Sequence, residues 1–154
     1  MIKQVKQYQE LGEYKIILKY DQEGMQREWV GIVRAEKAGE YKLHVQAEHT
    51  AKNTGGRVVV KAIGRNGAMV TLSGMIKIYK QAQGTDNFLE LRVLLLDDKS
   101  RATVDPKLEI EANEVKAGHA ASVSRIDEEE VQYLMARGIG RVAAEEMIIE
   151  GWLV

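Results

Sequence analysis

The chain has no cysteine among its 154 residues. A disulfide framework or a thiolate metal site therefore cannot come from this polypeptide alone, and the absence fits a reducing, cytoplasmic setting. Proline is nearly missing too, with Pro106 the single one, so extended segments can pair along their length without losing donors. Aromatic residues make up only 6%. Val, Ile, Leu and Ala must then fill the interior, which suits thin stacked layers better than a bulky centre. No run approaches the ~20 apolar residues of a membrane span, and the opening MIKQVKQYQELGEYK lacks the apolar centre of a signal peptide. The net charge of -1 offers no global field to gather nucleic acid or an anionic membrane. The expectation is a soluble, unprocessed protein of the cytoplasm with neither of those partners.

What is present is ordinary globular material, 45% hydrophobic and 29% charged, enough for one domain with a core. Residues 1–10 read as a polar arm or a short helix. Beyond them come β-rich runs, EYKIILKY (13–20), REWVGIVR (27–34) and EYKLHVQA (40–47). The last alternates cleanly, with Tyr41, Leu43 and Val45 on one side and Lys42, His44 and Gln46 on the other. Turn clusters then recur at Asn53–Gly56, Asn66–Gly67, Gln83–Asp86 and Asp97–Ser100. Gly74 reads as the start of a separate strand, MIKIYK, and Pro106 as a strand entrance. Asn66-Gly67 predicts a tight turn with φ > 0 at both positions. Such spacing signals an all-β sandwich, barrel or solenoid. The runs 58–63 and 93–98 are apolar on both parities, which implies burial on both faces. No strict short repeat separates solenoid from sandwich.

At Asp127 the period changes to helical. Asp127 with Glu130 has the spacing of a capping box, and Val131, Leu134 and Met135 fall on one stripe. Gly138 suits a left-handed C′ position with Ile139 as its apolar contact. A second helix follows in RVAAEEMIIEGWL (141–153), with Val142, Ala143, Met147 and Ile148 as its apolar positions. Each helix is too short to stand alone in water, so both must dock on something.

Chemistry-bearing constellations are sparse. His119 lies close to Ser122 and Ser124, but strand spacing puts His119 and Ser122 on opposite faces and no nucleophile elbow is present. His44 has the solvent parity of its strand and reads as structural. The scattered aspartates sit in turns, where carboxylates ordinarily shape the backbone. The pattern describes a β-rich binding or assembly module with a helical tail, not an enzyme; His119 is the one residue worth weighing as a metal ligand, with partners from elsewhere.

Several ordered segments nevertheless carry a resemblance: His49–Thr54, Gly74–Ile78, Ala82–Asp86, Leu94–Asp97, PKLEIEANEVKAGHAASVSRIDEEEVQYLMARGI and GRVAAEEMIIEGWLV. Over residues 44–154 the chain resembles the SufB/SufD family, scaffold subunits of SUF iron–sulfur cluster assembly, with LEIEANEVKAGHAASV nearest to SufD. The resemblance implies a mainly β fold, a right-handed parallel β-helix over residues 1–126 followed by a C-terminal helical segment over 127–154, with no motif matched in 1–40. It implies a minimal, C-terminal-half version of a longer family. The implied role is a non-catalytic scaffold that binds a SufC-like ABC-type ATPase through its helices. Pairing through the β-helix is implied as well, as a homodimer or as a heterodimer with a SufB-like subunit. Tyr133, Arg137, Ile139 and Met147 are the expected partner contacts, since aromatic, Arg and Met side chains suit interface anchors. His119 matches the family histidine implicated in cluster assembly. The family cysteine two positions earlier is Ala117 here, and the glutamate that follows the histidine in SufB-like members is Ala120. No cofactor is therefore expected on this chain alone, only a transient iron–sulfur cluster completed by partner ligands. The competing expectation is a self-associating structural β-helix that has lost ATPase and cluster.

Overall fold

In the computed structural model, which describes residues 2–154, nine strands precede two helices: β1 (Ile2–Tyr8), β2 (Gly12–Tyr20), β3 (Gln26–Ala35), β4 (Gly39–His49), β5 (Gly55–Gly64), β6 (Ala68–Ile78), β7 (Asp86–Leu95), β8 (Arg101–Ile110), β9 (Lys116–Arg125), α1 (Glu128–Ala136) and α2 (Arg141–Leu153). Odd-numbered strands form one sheet and even-numbered strands the other, each in sequence order. Every pairing is parallel. The chain thus winds from sheet to sheet as a β-solenoid of about four turns. A sandwich of antiparallel sheets is ruled out. Asn66 and Gly67 do have φ of 62° and 80°, but their turn passes the chain from one sheet to the other rather than closing a hairpin.

Three other expectations change. Within the first ten residues Ile2–Tyr8 form strand β1, neither a loose arm nor a helix, and pair one for one with β3; Met1 lies outside the described residues. Gly74 is internal to the continuous strand β6, not a break. A Cβ there would lie 2.7 Å from the Leu89 side chain of the opposite sheet, so the glycine makes room inside the thin core. Pro106 likewise stands within β8 rather than at its entrance. β8 is an edge strand, where one missing N–H is tolerated.

Side chains of inward parity fill the space between the sheets: Leu18, Trp29, Leu43, Val58, Val60, Leu72, Ile76, Leu89 and Leu91 are all buried. The outward Ile63 and Leu94 are buried as well, because α2 lays Ile149 and Leu153 on them. That accounts for the two-faced apolar runs. A second seam, Ile126, Val131 and Ala144 with Leu134, Ile139 and Ile148, holds the helices to each other. The α2 pattern therefore differs from its expected stripe: Val142 and Met147 are exposed, while Ala144, Ile149 and Leu153 are buried.

Polar groups lock α2 in place. Arg34 donates to Glu150 at 2.7 Å and to Glu146 at 3.2 Å, and Arg65 reaches Glu146 at 2.7 Å and Glu36 at 2.8 Å. Lys61 Nζ donates to the carbonyls of Trp152 and Val154 at 3.0 and 2.7 Å, a cation on the orphan acceptors of a helix C-terminus. Asp97 meets its expected role in a turn, accepting backbone N–H bonds from Asn66, Lys99 and Ser100 at 2.6, 3.0 and 2.8 Å. Partial burial pushes its carboxyl up, and those bonds outweigh the push and hold it below the usual range.

Candidate functional site

The helical hairpin begins at Asp127, whose carboxylate accepts the Glu129 N–H at 2.9 Å. This is a side-chain N-cap on the second helical N–H and not the expected capping box, since among the described residues no bond joins Asp127 and Glu130. Three glutamates in the first turn complement the helix dipole. At the other end Gly138 N–H donates to the Met135 carbonyl and Ile139 N–H to that of Leu134, at 3.0 and 3.2 Å. With φ of 88° at Gly138, this is a Schellman motif. Arg141 then ties the helices together through Glu128 at 2.6 Å.

This geometry sets out the four expected contact residues unequally. Tyr133 is 59% exposed, and its hydroxyl accepts from Arg137 at 2.6 Å while the guanidinium lies over its ring. The two side chains form one exposed aromatic–cation unit. Met147 projects into solvent from α2. Ile139 instead packs partly buried between the helices, so it shapes the hairpin. Met135 and Val142 are exposed too, in place of the buried stripe expected for Met135 and the apolar side of α2 expected for Val142. A groove between the helices is lined by Tyr133, Leu134 and Ile148 with Asp127, Glu129 and Glu130 at its rim.

The last coil, β8 with β9, is the second candidate surface. Neither strand has a partner on its outer edge, and Leu108, Ile110 and Val123 are exposed there. His119 stands in this coil beside Leu89 of β7, so it has the inward parity of the solenoid yet is solvent-exposed. Ala117 and Ala121 flank it on the same face. Ser122 lies on the other parity, opposite Arg92, as the strand period required. Among the described residues no group of three His, Asp or Glu side chains could hold a metal ion.

A buried polar node went unread. His49 is fully buried, stacked on Tyr20 with ring centroids 4.1 Å apart. Its Nδ1 is 2.8 Å from Thr54 Oγ1, and its Nε2 is 2.6 Å from Asn87 Nδ2. Thr54 bonds Thr85 at 3.1 Å, and Thr85 donates to the Ala82 carbonyl at 2.9 Å. Because the Asn87 amide donates, Nε2 is the acceptor and Nδ1 carries the proton. Burial pushes the His49 pKa down to about 4. Asn87 Oδ1 remains without a partner. The signal was in the sequence, as Ala51-x-x-Thr54 recurs at Ala82-x-x-Thr85 in the next coil.

The fold and these surfaces define a class first: a parallel β-solenoid with a helical hairpin docked on one sheet and an unpaired final coil. The SUF system FeS cluster assembly, SufBD core domain family matches residues 8–152. The chain belongs to the SufBD family. It is 33% identical over 131 residues to the iron–sulfur cluster assembly protein SufB of Bacillus subtilis (strain 168), covering 85% of this chain and 28% of that protein. It is 31% identical over 144 residues to an iron–sulfur cluster assembly SufBD family protein of Staphylococcus aureus (strain USA300), covering 90% and 31%. A SufBD family protein of Staphylococcus epidermidis (strain ATCC 12228 / FDA PCI 1200) matches at the same identity and coverage. The chain spans less than a third of the length of these curated relatives. The family match reaches into the first forty residues, where the motifs of the sequence do not extend. Among the described residues no helix is long and apolar enough to cross a membrane.

Proposed function

We propose that this chain is a SufD-like, non-catalytic scaffold unit that engages a SufC-like ABC-type ATPase through its helical hairpin and pairs through its last coil. The observation that carries the reading is the solvent-facing surface of a hairpin anchored to the solenoid by Arg34, Arg65 and Lys61, where Tyr133 and Arg137 form one exposed unit and Met135 and Met147 are exposed as well. An exposed aromatic–Arg unit on an element that also exposes methionines has the composition of an interface anchor. The anchoring ion pairs connect that face to the coils, so an ATPase that changed shape would pull on the solenoid through α2. The open edges and exposed Leu108, Ile110 and Val123 favour pairing with a second β-solenoid, since an unpaired apolar edge is otherwise an aggregation hazard. Cluster is the cargo in this reading. His119 supplies one nitrogen and no thiolate, so the remaining ligands belong to another chain. The setting is the cytoplasm.

Co-purification with the cognate ATPase tests the reading. Tyr133→Asp with Met147→Asp should weaken binding by at least ~100-fold, because a charge replaces a desolvated anchor, while the thermal midpoint stays within a few degrees of the parent. Undiminished capture by this variant, or by a chain lacking residues 127–154, would refute the hairpin as the docking element.

A further inference from the structure

The outer face of the even-numbered sheet plays no part in the reading above, and the helices pack on the other sheet. Its middle forms a shallow groove of about 530 Å³. Three adjacent strands place Glu13 (β2), His44 (β4) and Ser73 (β6) together there. His44 and Ser73 are register neighbours, and Ser73 Oγ is hydrogen-bonded to His44 Nδ1. The other ring nitrogen, Nε2, lies 2.9 Å from Glu13 Oε1. A carboxylate only accepts, so Nε2 carries the proton and Nδ1 is left to accept from the Ser73 hydroxyl. The order is a hydroxyl on a basic nitrogen, with a carboxylate orienting the ring; that arrangement activates serine nucleophiles. Ser73 and His44 are both half-buried and reachable from solvent. Thr71, Thr103 and Lys107 line the groove around them.

The same geometry limits the chemistry. In a continuous parallel sheet the main-chain N–H groups are committed to ladder bonds, so no pair of them is free to form an oxyanion hole. Lys15, Lys107 and the threonine hydroxyls are the donors lining the groove for a developing oxyanion, and Lys107 is already paired with Asp105 at 3.0 Å, the carboxylate beside Ser73 on β8. Activation of the nucleophile without strong stabilisation of the intermediate yields a group that accepts an acyl unit once and releases it slowly.

We propose that Ser73 is a base-assisted acyl-acceptor site for activated esters and thioesters. Ser73 Oγ bonds to the acyl carbon, and its proton passes to His44 Nδ1. The bond to the alcohol or thiol breaks, and that group leaves with the proton. The product is an O-acyl serine, and no oxidant or reductant is needed. Glu13 is a positioning residue that acts through the ring. The three residues are 29 or more positions apart in the chain, and strand parity alone marks His44 as structural.

A fluorophosphonate probe on the intact chain, followed by peptide mapping, tests the site: an O–P bond forms at serine, the P–F bond breaks and fluoride leaves. The expected result is one adduct, on Ser73, absent from Ser73→Ala and from urea-unfolded chain. His44→Ala should slow labelling about 100-fold, the usual size of a general-base contribution, with recovery on adding imidazole; a merely structural ring would give no such recovery. Glu13→Gln should slow it by about 10-fold, and Glu13→Asp should restore part of the rate. Labelling spread over other residues, an equal rate in unfolded chain, or an unchanged rate in His44→Ala would overturn the proposal. None of these outcomes bears on ATPase capture, so the two readings fail separately.

Discussion

Gly56→Ala is expected to remove a large fraction of the solenoid's stability and to shift its urea midpoint down by more than ~1 M. Gly56 adopts φ of 148°, and a Cβ built on it would fall 1.7 Å from the backbone oxygen of Arg27 and 2.7 Å from its carbonyl carbon. Arg27 is its register partner on β3, and Asn87 on β7 is its partner on the other side. The clash therefore cannot be relieved by a side-chain rotation; β3 and β5 of the odd-numbered sheet must separate. Ordinary backbone strain from replacing glycine costs about 1 kcal/mol. Here ladder bonds to a neighbouring coil are lost as well, and the expected cost exceeds ~4 kcal/mol, a large fraction of a typical domain's ~5–15 kcal/mol. Gly151→Ala is the matching control. Nothing lies within 4 Å of its added Cβ, and the residue is inside α2, so helix propensity should raise stability by about 0.5–1 kcal/mol. Urea unfolding followed by far-ultraviolet circular dichroism separates the two. A Gly56→Ala midpoint within 1 M of the parent would contradict the register of β3 against β5.

Much of the solenoid was legible because strands and turns leave local marks. Asn66-Gly67 announced its left-handed turn, the alternation from Tyr41 to Ala47 announced which side faces inward, and the two-parity runs at 58–63 and 93–98 announced a layer on each face. Chain order alone could not say that neighbouring strands part into different sheets. That depends on pairing between residues such as Gly55 and Asp86, and a coil of about thirty residues repeats too loosely to be read as a short motif. Gly74 shows a second limit. Its reason for being glycine is Leu89 on the opposite sheet, which no local window contains. The fold assignment drew its force from ordered family motifs, and the parallel pairing agrees with them.

The surfaces divide in the same way. Asp127, Gly138 and the helical period placed the hairpin, and Tyr133, Arg137 and Met147 emerge on its free side. Ile139 differs from the other three, because the contact that closes a Schellman motif packs it partly buried between the helices. β1 shows a related limit: its outward and inward positions are both polar or mixed, and its strand character comes from pairing with β3. His49 passed as part of a motif without a role. Its importance lies in contacts to Thr54 and Asn87, five and thirty-eight residues away, which only the coiled path brings together.

That buried histidine should make the solenoid acid-sensitive. In the folded chain His49 stays neutral down to a pKa of about 4, against an ordinary value of 6.5. Above pH 6.5 both folded and unfolded chains hold it neutral, and its contribution is fully present. Between 6.5 and 4 the unfolded chain binds the proton and the folded chain does not, so stability falls as pH falls through that window. Below about pH 4 both forms are protonated and this loss levels off. A gap of roughly two and a half pH units corresponds to roughly 3 kcal/mol. The physical cause is plain in the node: a protonated ring would turn Nε2 into a donor facing the Asn87 amide, inside a site closed to water. His49→Gln should lose some stability at pH 7 while removing the slope between 6.5 and 4. His44 and His119 are accessible to solvent and common to both proteins, so they cancel in the comparison. Urea midpoints taken at half-unit steps from pH 7 to 4 give the test; parallel curves for the two proteins would mean that His49 is not held neutral by the fold.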